Sequence, residues 1–263
     1  EGSGWYDRDL VRNATSGYAI NKGASNRWSL SAYELDGHLS DVERNSTGEA
    51  VVPLPMDKPH TLIFRFTEQF ELEIDGGRDV SFSPLSPTGD MWFDKGNSVT
   101  VRTSNSWPLQ EGSRTRLTGW QIDGGETFAV KAEGSATIET ATVRMDAPHL
   151  LVLLGVIQHS LDVKGGGEIE FNPSSPSSDI WFDDGMNVSV TTQRVWDVTS
   201  NSRLNFAEWL LDGVVKTDTR ETSGSFSTPL IEMDRGHTVV FVPIIQHRIL
   251  VHSTSFGLQW GNN

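Results

Sequence analysis

The chain has 263 residues, no cysteine, and 35 acidic against 21 basic side chains, which gives a formal net charge of −14. The lack of cysteine excludes disulfides, thiolate metal sites and cysteine nucleophiles, and the acidic balance argues against nucleic acid as a partner, because binding it usually needs a basic face. The longest apolar run, LLVLLGV at 150–156, is too short to span a membrane.

The first predicted element is an aromatic and acidic corner that occurs three times. The octapeptides GSGWYDRD, GDMWFDKG and SDIWFDDG carry Trp5, Trp92 and Trp181. These tryptophans are 87 and 89 residues apart. A fixed spacing of this kind predicts structural repeats.

Further series keep the same spacing. The motifs SAYELDGH, TGWQIDGG and AEWLLDGV carry the aromatic residues Tyr33, Trp120 and Trp209, respectively. The motifs MDKPHTL, MDAPHLL and MDRGHTV carry His60, His149 and His237, respectively. A glutamine series consists of Gln69, Gln158 and Gln246. The chain therefore contains about three repeats of roughly 88 residues.

Within each repeat the signals are those of β-strands. Runs such as FELEI, NSVTVRTS and RLTGWQID are rich in β-branched and aromatic residues, and clusters of Gly, Pro, Asn, Asp and Ser separate them. This pattern predicts an all-β fold of tandem immunoglobulin-like β-sandwich repeats. The stretches 60–74, 149–163 and 237–251 are long for one strand, so we expect each to carry the last strand of one domain into the first strand of the next.

The W-x-x-D-G strand, the M-D-x-P-H turn and the β pair with glycines that follows it together resemble the divergent internalin-type B repeat. The resemblance covers essentially the whole chain. It implies small β-domains used in tandem in secreted and cell-surface proteins of bacteria and archaea, including proteins associated with surface layers. It implies no catalytic residue.

The repeats are predicted to be circularly permuted. Residues 67–154 and 155–242 each contain a complete β-repeat by motif order. Residues 1–66 begin at the GWYD corner and lack the first two strands, whereas residues 243–263 contain two such strands. We expect the tail to complete an N-terminal domain.

Leaving both parts unpartnered would expose aliphatic side chains that are worth about 1.5–3 kcal/mol each when buried. The predicted donor side chains are Ile244, Ile245, Ile249, Val251, Phe256, Leu258 and Trp260. The acceptor domain carries Trp5 and Tyr33. Three arrangements are open: donation to a neighbouring copy as a head-to-tail homopolymer, closure on the chain's own N-terminus, or a window of a longer covalent array. Donation between copies is the favoured one.

The acidic corners are also candidate calcium sites, since carboxylate oxygens suit that ion. The candidate ligands are Asp90, Asp94, Asp179, Asp183 and Asp184. The favoured interpretation is a structural turn in which Asp accepts backbone hydrogen bonds and Gly takes a positive φ. The loop does not match an EF-hand, and the first copy has Ser3 in place of Asp90. No other cofactor is expected.

Tryptophans kept in register are expected to anchor domain cores, whereas Trp28 and Trp260 lie outside the register and are candidates for contact with an interface or a surface glycan. The recurring histidines are expected to form turn hydrogen bonds. Glycosylation sequons lie at Asn13, Asn45 and Asn187. No Ser/His/Asp pattern, paired catalytic carboxylates or phosphate-binding loop stands out, so an enzyme is not predicted.

The expected function is therefore that of a non-enzymatic structural subunit of an extracellular filament or surface assembly. The alternative is a cell-surface adhesin or carbohydrate-binding repeat array, as a fragment of a longer chain. A third class, the accessory segment of a secreted protease, also fits tandem repeats of this kind.

Overall fold

The computed structural model shows an all-β protein, with 61% of the chain in strands and no helix among the described residues. The structure describes residues 3–130, 136–140, 142–216 and 224–252. Within them, no helix is long and apolar enough to cross a membrane.

The chain divides into two compact units. Unit 1 comprises Glu1–Trp107 and Leu117–Gly155, and unit 2 comprises Pro108–Arg116 and Val156–Asn263. The finer division into four segments stays a prediction.

Most of the strands are short and are separated by turns, as the sequence pattern predicts. The first six are β1 (Val11–Gly17), β2 (Ala19–Asn21), β3 (Asn26–Leu35), β4 (His38–Asp41), β5 (Glu49–Pro55) and β6 (Leu62–Asp75). The next nine are β7 (Ser81–Ser83), β8 (Trp92–Asp94), β9 (Ser98–Ser104), β10 (Ser106–Gln110), β11 (Ser113–Ile122), β12 (Phe128–Ala129), β13 (Thr137–Glu139), β14 (Val143–Arg144) and β15 (His149–Lys164). The last nine are β16 (Ile169–Asn172), β17 (Trp181–Asp183), β18 (Asn187–Gln193), β19 (Val195–Thr199), β20 (Ser202–Leu211), β21 (Val214–Lys216), β22 (Ser225–Ser227), β23 (Ile231–Glu232) and β24 (His237–His247).

Alternation of buried and exposed positions builds the core of each unit. In β9, Val99, Val101 and Thr103 are buried while the residues between them face outward, because successive side chains of a strand point to opposite sides of the sheet. The main core cluster of unit 1 consists of Phe70, Leu72, Phe93, Val99, Val101, Leu117, Trp120, Val143, Met145, Leu151 and Leu153. That of unit 2 consists of Leu161, Phe182, Val188, Val190, Phe206, Trp209, Ile231, Met233, Val239 and Phe241. Trp120 and Trp209 are core residues, as expected. Trp92 and Trp181, which were also expected in the cores, are half-buried and lie outside both clusters.

Each unit contains a parallel pair of long strands. In unit 1, the end of β6 pairs with the start of β15, from His149 opposite Leu72 to Val152 opposite Asp75. In unit 2, the end of β15 pairs in the same way with the start of β24, beginning with Leu161 opposite His237.

The strands of the corners at Trp92 and Trp181 each pair antiparallel with a long strand. Phe93 of β8 lies opposite Phe70 of β6. Phe182 of β17 lies opposite His159 of β15. Strands β6 and β15 are thus continuous, as predicted for 60–74 and 149–163. In contrast, β24 ends at His247, before the predicted limit of 251.

Tight glycine turns follow both parallel pairs. Gly76 and Gly165 have φ values of +80° and +72°. A Cβ atom on Gly165 would lie 2.2 Å from the carbonyl oxygen of Phe241, and one on Gly76 would lie 2.5 Å from that of Leu153. Only glycine combines this backbone conformation with so close an approach.

Candidate functional site

A buried arginine, Arg27, organises the corner around Trp92. Arg27 Nε donates to Gln69 Oε1 at 2.9 Å, and Arg27 Nη2 donates to Thr88 Oγ1 and to Asp90 Oδ2, both at 2.8 Å. The guanidinium carbon lies 4.5 Å from the ring centre of Trp92. Both the guanidinium edge and its face are therefore satisfied, as a buried cation requires.

The same corner holds a second ion pair. Arg44 donates two hydrogen bonds to the carboxylate of Asp94, at 2.6 and 2.7 Å. Gln69 joins the two ion pairs, because its Nε2 donates to Asp94 Oδ1 at 3.1 Å while its Oε1 accepts from Arg27. We call this set of Arg27, Arg44, Gln69, Asp90, Trp92 and Asp94 the first junction.

A second junction in unit 2 repeats this arrangement. Arg114 Nε donates to Gln158 Oε1 at 2.9 Å, and Arg114 Nη2 donates to Ser177 Oγ at 2.9 Å and to Asp179 Oδ2 at 2.7 Å. The guanidinium carbon lies 4.7 Å from the ring centre of Trp181. Chemistry and geometry match those around Arg27.

The second carboxylate of this junction is Asp183. Gln158 Nε2 donates to Asp183 Oδ1 at 2.8 Å, and Arg116 Nη2 approaches the two carboxylate oxygens at 3.2 and 3.3 Å. The cation comes from β11 here, whereas Arg44 lies between β4 and β5. The second junction is the set of Arg114, Arg116, Gln158, Asp179, Trp181 and Asp183.

Half of the same arrangement is present on an exposed part of unit 2. Arg203 Nε donates to Gln246 Oε1 at 2.8 Å, and Arg203 lies directly opposite Gln246 in the pairing of β20 with β24. In β3 and β6, Arg27 lies opposite Gln69 in the same way. Among the described residues, neither a carboxylate nor an aromatic ring contacts Arg203. We call Arg203 and Gln246 the half-junction.

The first aromatic corner is exposed. Trp5 is fully accessible, and Tyr6 is half exposed although its counterparts Phe93 and Phe182 are completely buried. Asp7 forms no ion pair within the described part of the chain. Among the residues that the structure describes, no strand pairs with residues 5–7, in contrast to β8 and β17.

Two sheet edges near the N-terminus are also open within the described residues. The start of β6 pairs with β3 but lacks the parallel partner that the starts of β15 and β24 have. Strand β1 pairs only with β5. Its counterparts are paired on both edges, β9 with β7 and β13, and β18 with β16 and β22.

Apolar side chains that would suit such an edge lie just after β24. Leu72, Leu161 and Ile249 occupy equivalent positions of the repeat, because each lies three residues after Gln69, Gln158 or Gln246. Leu72 and Leu161 are 0% exposed, whereas Ile249 is 85% exposed. Two positions further on, Val251 is 75% exposed.

The other predicted donor and acceptor residues lie in different settings. Ile244 and Ile245 belong to β24, where they pair with Asn205 and Leu204 while their side chains are exposed. Tyr33 is half-buried in β3. Phe256, Leu258 and Trp260 lie outside the described residues.

The five candidate calcium ligands are engaged by basic side chains or turn donors. Asp90, Asp94, Asp179 and Asp183 pair with arginines, and Asp184 pairs with His159 at 2.9 Å. No group of three or more ligating side chains suited to a metal occurs among the described residues. Calcium at either corner would have to displace an arginine; its binding stays a prediction.

The carboxylates of Asp90 and Asp179 are stabilised in the ionised form. Burial by itself raises the pKa of Asp90, but hydrogen bonds from Thr88 and Arg27 outweigh it and the pKa lies below its ordinary value. Burial likewise raises the pKa of Asp179, and donors including Ser177 and Arg114 lower it further than burial raises it. Each junction therefore holds an ionised aspartate beside the arginine that stacks on its tryptophan.

A hydrogen-bonded series of a serine, a histidine and an aspartate, which the sequence did not predict, lies beside the second junction. Ser113 Oγ is 2.9 Å from His159 Nδ1, and His159 Nε2 is 2.9 Å from Asp184 Oδ1. Ser113 is only 2% exposed, whereas the Asp184 side chain is 57% exposed. The hydroxyl is thus buried and the carboxylate faces solvent, the reverse of what a serine nucleophile needs. These hydrogen bonds link β11 and β15 to the residue that follows β17, and they do not present a nucleophile.

The recurring histidines do form turn hydrogen bonds. His60 Nδ1 is 2.9 Å from Asp36 Oδ2 and its Nε2 is 2.7 Å from Pro55 O, and the hydrogen bond to Asp36 raises the pKa of His60. Thr61 N donates to Asp36 at 2.8 Å; this bond, with the one to His60, lowers the pKa of Asp36 to about 2. His149 and His237 make equivalent bonds to Asp123 and Asp212.

The remaining candidates are surface features. Asn13, Asn45 and Asn187 are all exposed, so each sequon is sterically accessible. Trp28 is half-buried, and Lys22 Nζ lies 4.5 Å from its ring centre. A glycan stacking on that face would compete with Lys22.

Comparisons of the chain with protein-family models, curated proteins and solved structures gave no match.

Proposed function

We propose that this chain is a non-enzymatic structural subunit that joins head to tail by β-strand donation into an extracellular filament or surface assembly. In this proposal, tandem immunoglobulin-like β-sandwich repeats at 67–154 and 155–242 are complete. The domain at 1–66 is completed by the segment 243–263 of a neighbouring copy.

One observation carries the proposal: an apolar segment after β24 and an open strand edge that could receive it are both exposed. Ile249 faces solvent at the position of Leu72 and Leu161, which are wholly buried. Val251 faces solvent at the position of Ile74 and Val163, which are partly buried and pack against the two cores. The start of β6 lacks, among the described residues, the parallel partner that this segment would supply. Addition of a strand to an open edge satisfies backbone hydrogen bonds and buries alternate side chains together.

The place for a second donated strand is the free edge of β1. Ser81–Ser83 of β7 pairs with Arg102–Thr100 of β9. The corresponding edge in β1 runs along Asn13–Thr15. In the proposal, the residues around Leu258 pair there.

The test is assembly of the purified full chain, followed by analytical sedimentation and negative-stain microscopy. Filaments are expected for the native chain and individual particles for Ile249→Asp combined with Val251→Asp, because two charges would enter a core. Leu230→Asp is the matched control, since Leu230 is an exposed aliphatic residue of unit 2. A native chain that stays monomeric at high concentration, or a double variant that still forms filaments, would refute the proposal.

The alternative, a cell-surface adhesin or carbohydrate-binding array, is favoured by the exposed ring of Trp5 and the half-buried ring of Trp28. It predicts glycan binding that is lost in Trp28→Ala and retained in Ile249→Asp. Uniform silence on a broad glycan array would count against it.

A further inference from the structure

We propose that the half-junction of Arg203 and Gln246 receives Trp5 and Asp7 of a second copy of this chain. This inference rests on the proposed function, because it concerns the same contact between neighbouring copies. We call that contact the joint. It adds the side chains that select the partner segment and fix its register.

The first step is that the chain builds this contact twice internally. Each internal junction holds an arginine whose Nε donates to a glutamine at 2.9 Å and whose guanidinium carbon lies 4.5 or 4.7 Å from a tryptophan ring centre. Each glutamine also donates to an aspartate two residues after that tryptophan. The arrangement is thus a reproducible solution for joining an aromatic corner to a long strand.

The second step is that the receiving half is already formed at the third position. The bond between Arg203 and Gln246 has the same atoms and nearly the same length, 2.8 Å, as in the two complete junctions. The partner segment would therefore meet a positioned guanidinium and amide. Less side-chain entropy is lost on binding when the groups are held in place beforehand.

The third step is that the missing half exists on the same chain and is exposed. Trp5 and Asp7 keep the spacing of Trp92 and Asp94, and both are accessible to a partner. A tryptophan face and a carboxylate are the groups that complement an arginine and the amide of a glutamine.

Ser3 stands at the position of Asp90 and Asp179, which removes one negative charge from the exposed corner. Asn205, two residues after Arg203, stands at the position of Arg116, so the second cation of the second junction is absent here. The first junction also lacks an arginine at that position, where Ser29 stands, and Arg44 supplies its second cation from another segment. The proposed contact therefore pairs Arg203 with Asp7.

The joint should also be weaker than the internal junctions. Arg8 stands at the position of Asp184, so the pair of Ser202 with His247, 2.9 Å apart, gains no carboxylate there. A joint with fewer ion pairs suits an assembly that forms reversibly.

Disulfide trapping tests the predicted register, and the chain offers a clean background because it has no cysteine. By analogy with Phe93 opposite Phe70 and Phe182 opposite His159, Tyr6 should lie opposite His247 of the other copy. Directly opposed strand positions are close enough for a disulfide. The variant Tyr6→Cys with His247→Cys should give a ladder of linked multimers on oxidation. Tyr6→Cys with Arg248→Cys, slipped by one residue, should not.

The side-chain contacts are tested in that two-cysteine background. Arg203→Ala is expected to slow ladder formation about tenfold, the size of effect expected for one desolvated cation–π contact. Arg235→Ala removes the same charge from an exposed side chain and should leave the rate unchanged. Trp5→Ala should slow the ladder as Arg203→Ala does, and Trp5→Phe should restore part of the rate.

Each other outcome is decisive. Equal rates with and without Arg203 would overturn the proposed contact and leave strand donation in place. Linkage within single chains would overturn the second copy as the occupant, and no linkage would overturn the contact altogether. An Arg203-dependent ladder that survives Ile249→Asp with Val251→Asp would refute strand donation and keep the contact.

Discussion

The sharpest prediction compares two residues that occupy one position of the repeat. Leu161 is 0% exposed in the core of unit 2 and Ile249 is 85% exposed after β24. Truncating a fully buried leucine to alanine costs about 2–5 kcal/mol, from lost transfer free energy and the cavity left behind. Leu161→Ala should therefore lower the free energy of unfolding of the isolated chain by that amount. Ile249→Ala should change it by less than about 0.5 kcal/mol.

In the assembled state the two positions should become equivalent. If Ile249 is buried in a neighbour as Leu161 is buried in its own unit, Ile249→Ala removes about 2–5 kcal/mol from each joint. At 1.4 kcal/mol for each factor of ten, this raises the critical concentration for assembly roughly 30- to 4,000-fold.

Two measurements read these quantities separately. Urea unfolding of dilute, unassembled chain, followed by tryptophan fluorescence, gives the stability of the subunit. Sedimentation over a concentration series gives the critical concentration. A loss of subunit stability in Ile249→Ala comparable to that in Leu161→Ala would show that Ile249 is already packed in its own chain. An unchanged critical concentration would show that it is not buried in the assembly.

Three further predictions concern single sites. Arg114→Ala should destabilise unit 2 by about 1–3 kcal/mol, because it removes the hydrogen bonds to Gln158, Ser177 and Asp179, while the 36% exposure of the Asp179 side chain lets solvent screen the lost charge. Arg114→Lys should restore only part of this stability, since lysine lacks the planar fork, and urea unfolding of both variants measures the difference. Thermal stability should fall as pH rises above about 6.5, because the raised pKa values of His60 and His149 in the folded chain stabilise it fully only below the unfolded histidine pKa. It should also fall as pH drops from about 5 towards 2, where Asp36 is protonated. Melting curves of His60→Gln with His149→Gln should lose the upper dependence and keep a smaller acid dependence, because Thr61 still donates to Asp36. Gly165→Ala should destabilise unit 2 by more than about 1 kcal/mol, the centre of the distribution for point substitutions, since its Cβ would meet Phe241 O at 2.2 Å. A melting temperature equal to that of Gly167→Ala, where the nearest atom is 3.4 Å away, would contradict the close approach.

The all-β fold was predictable because its determinants are local. Alternation of apolar and polar residues marks a half-buried strand whatever its partners are, so the core positions of Trp120 and Trp209 follow from their place in a strand motif. The continuity of β6 and β15 was predictable for the same reason. The end of β24 at His247 was not, because strand limits depend on whether a neighbouring strand is present to pair with.

The junctions were not predictable from the sequence. Arg27 and Asp90 are 63 residues apart, and Arg114 and Asp179 are 65 apart. Their meeting depends on the antiparallel register of β3 with β6 and on the corner that follows, which the motif spacing does not determine. Without that register the aspartates resembled metal ligands. A usable signal was the arginine that recurs at the repeat spacing: Arg27, Arg114 and Arg203.

The chemistry of the junctions also explains why apolar donor side chains alone would not define an assembly. Within the chain, β6 and β15 deliver the next strand covalently, so its register is set by the backbone. A strand that arrives from another copy must find its register while losing translational and rotational freedom. A slip of one residue would turn Ile249 and Val251 from the core to the solvent face. A charged and aromatic contact such as Arg203 with Trp5 discriminates between such registers, because charge and shape complementarity contribute more to specificity than to affinity. Burial of Ile249 would then supply the free energy of the joint, and the half-junction would decide which pairing receives it.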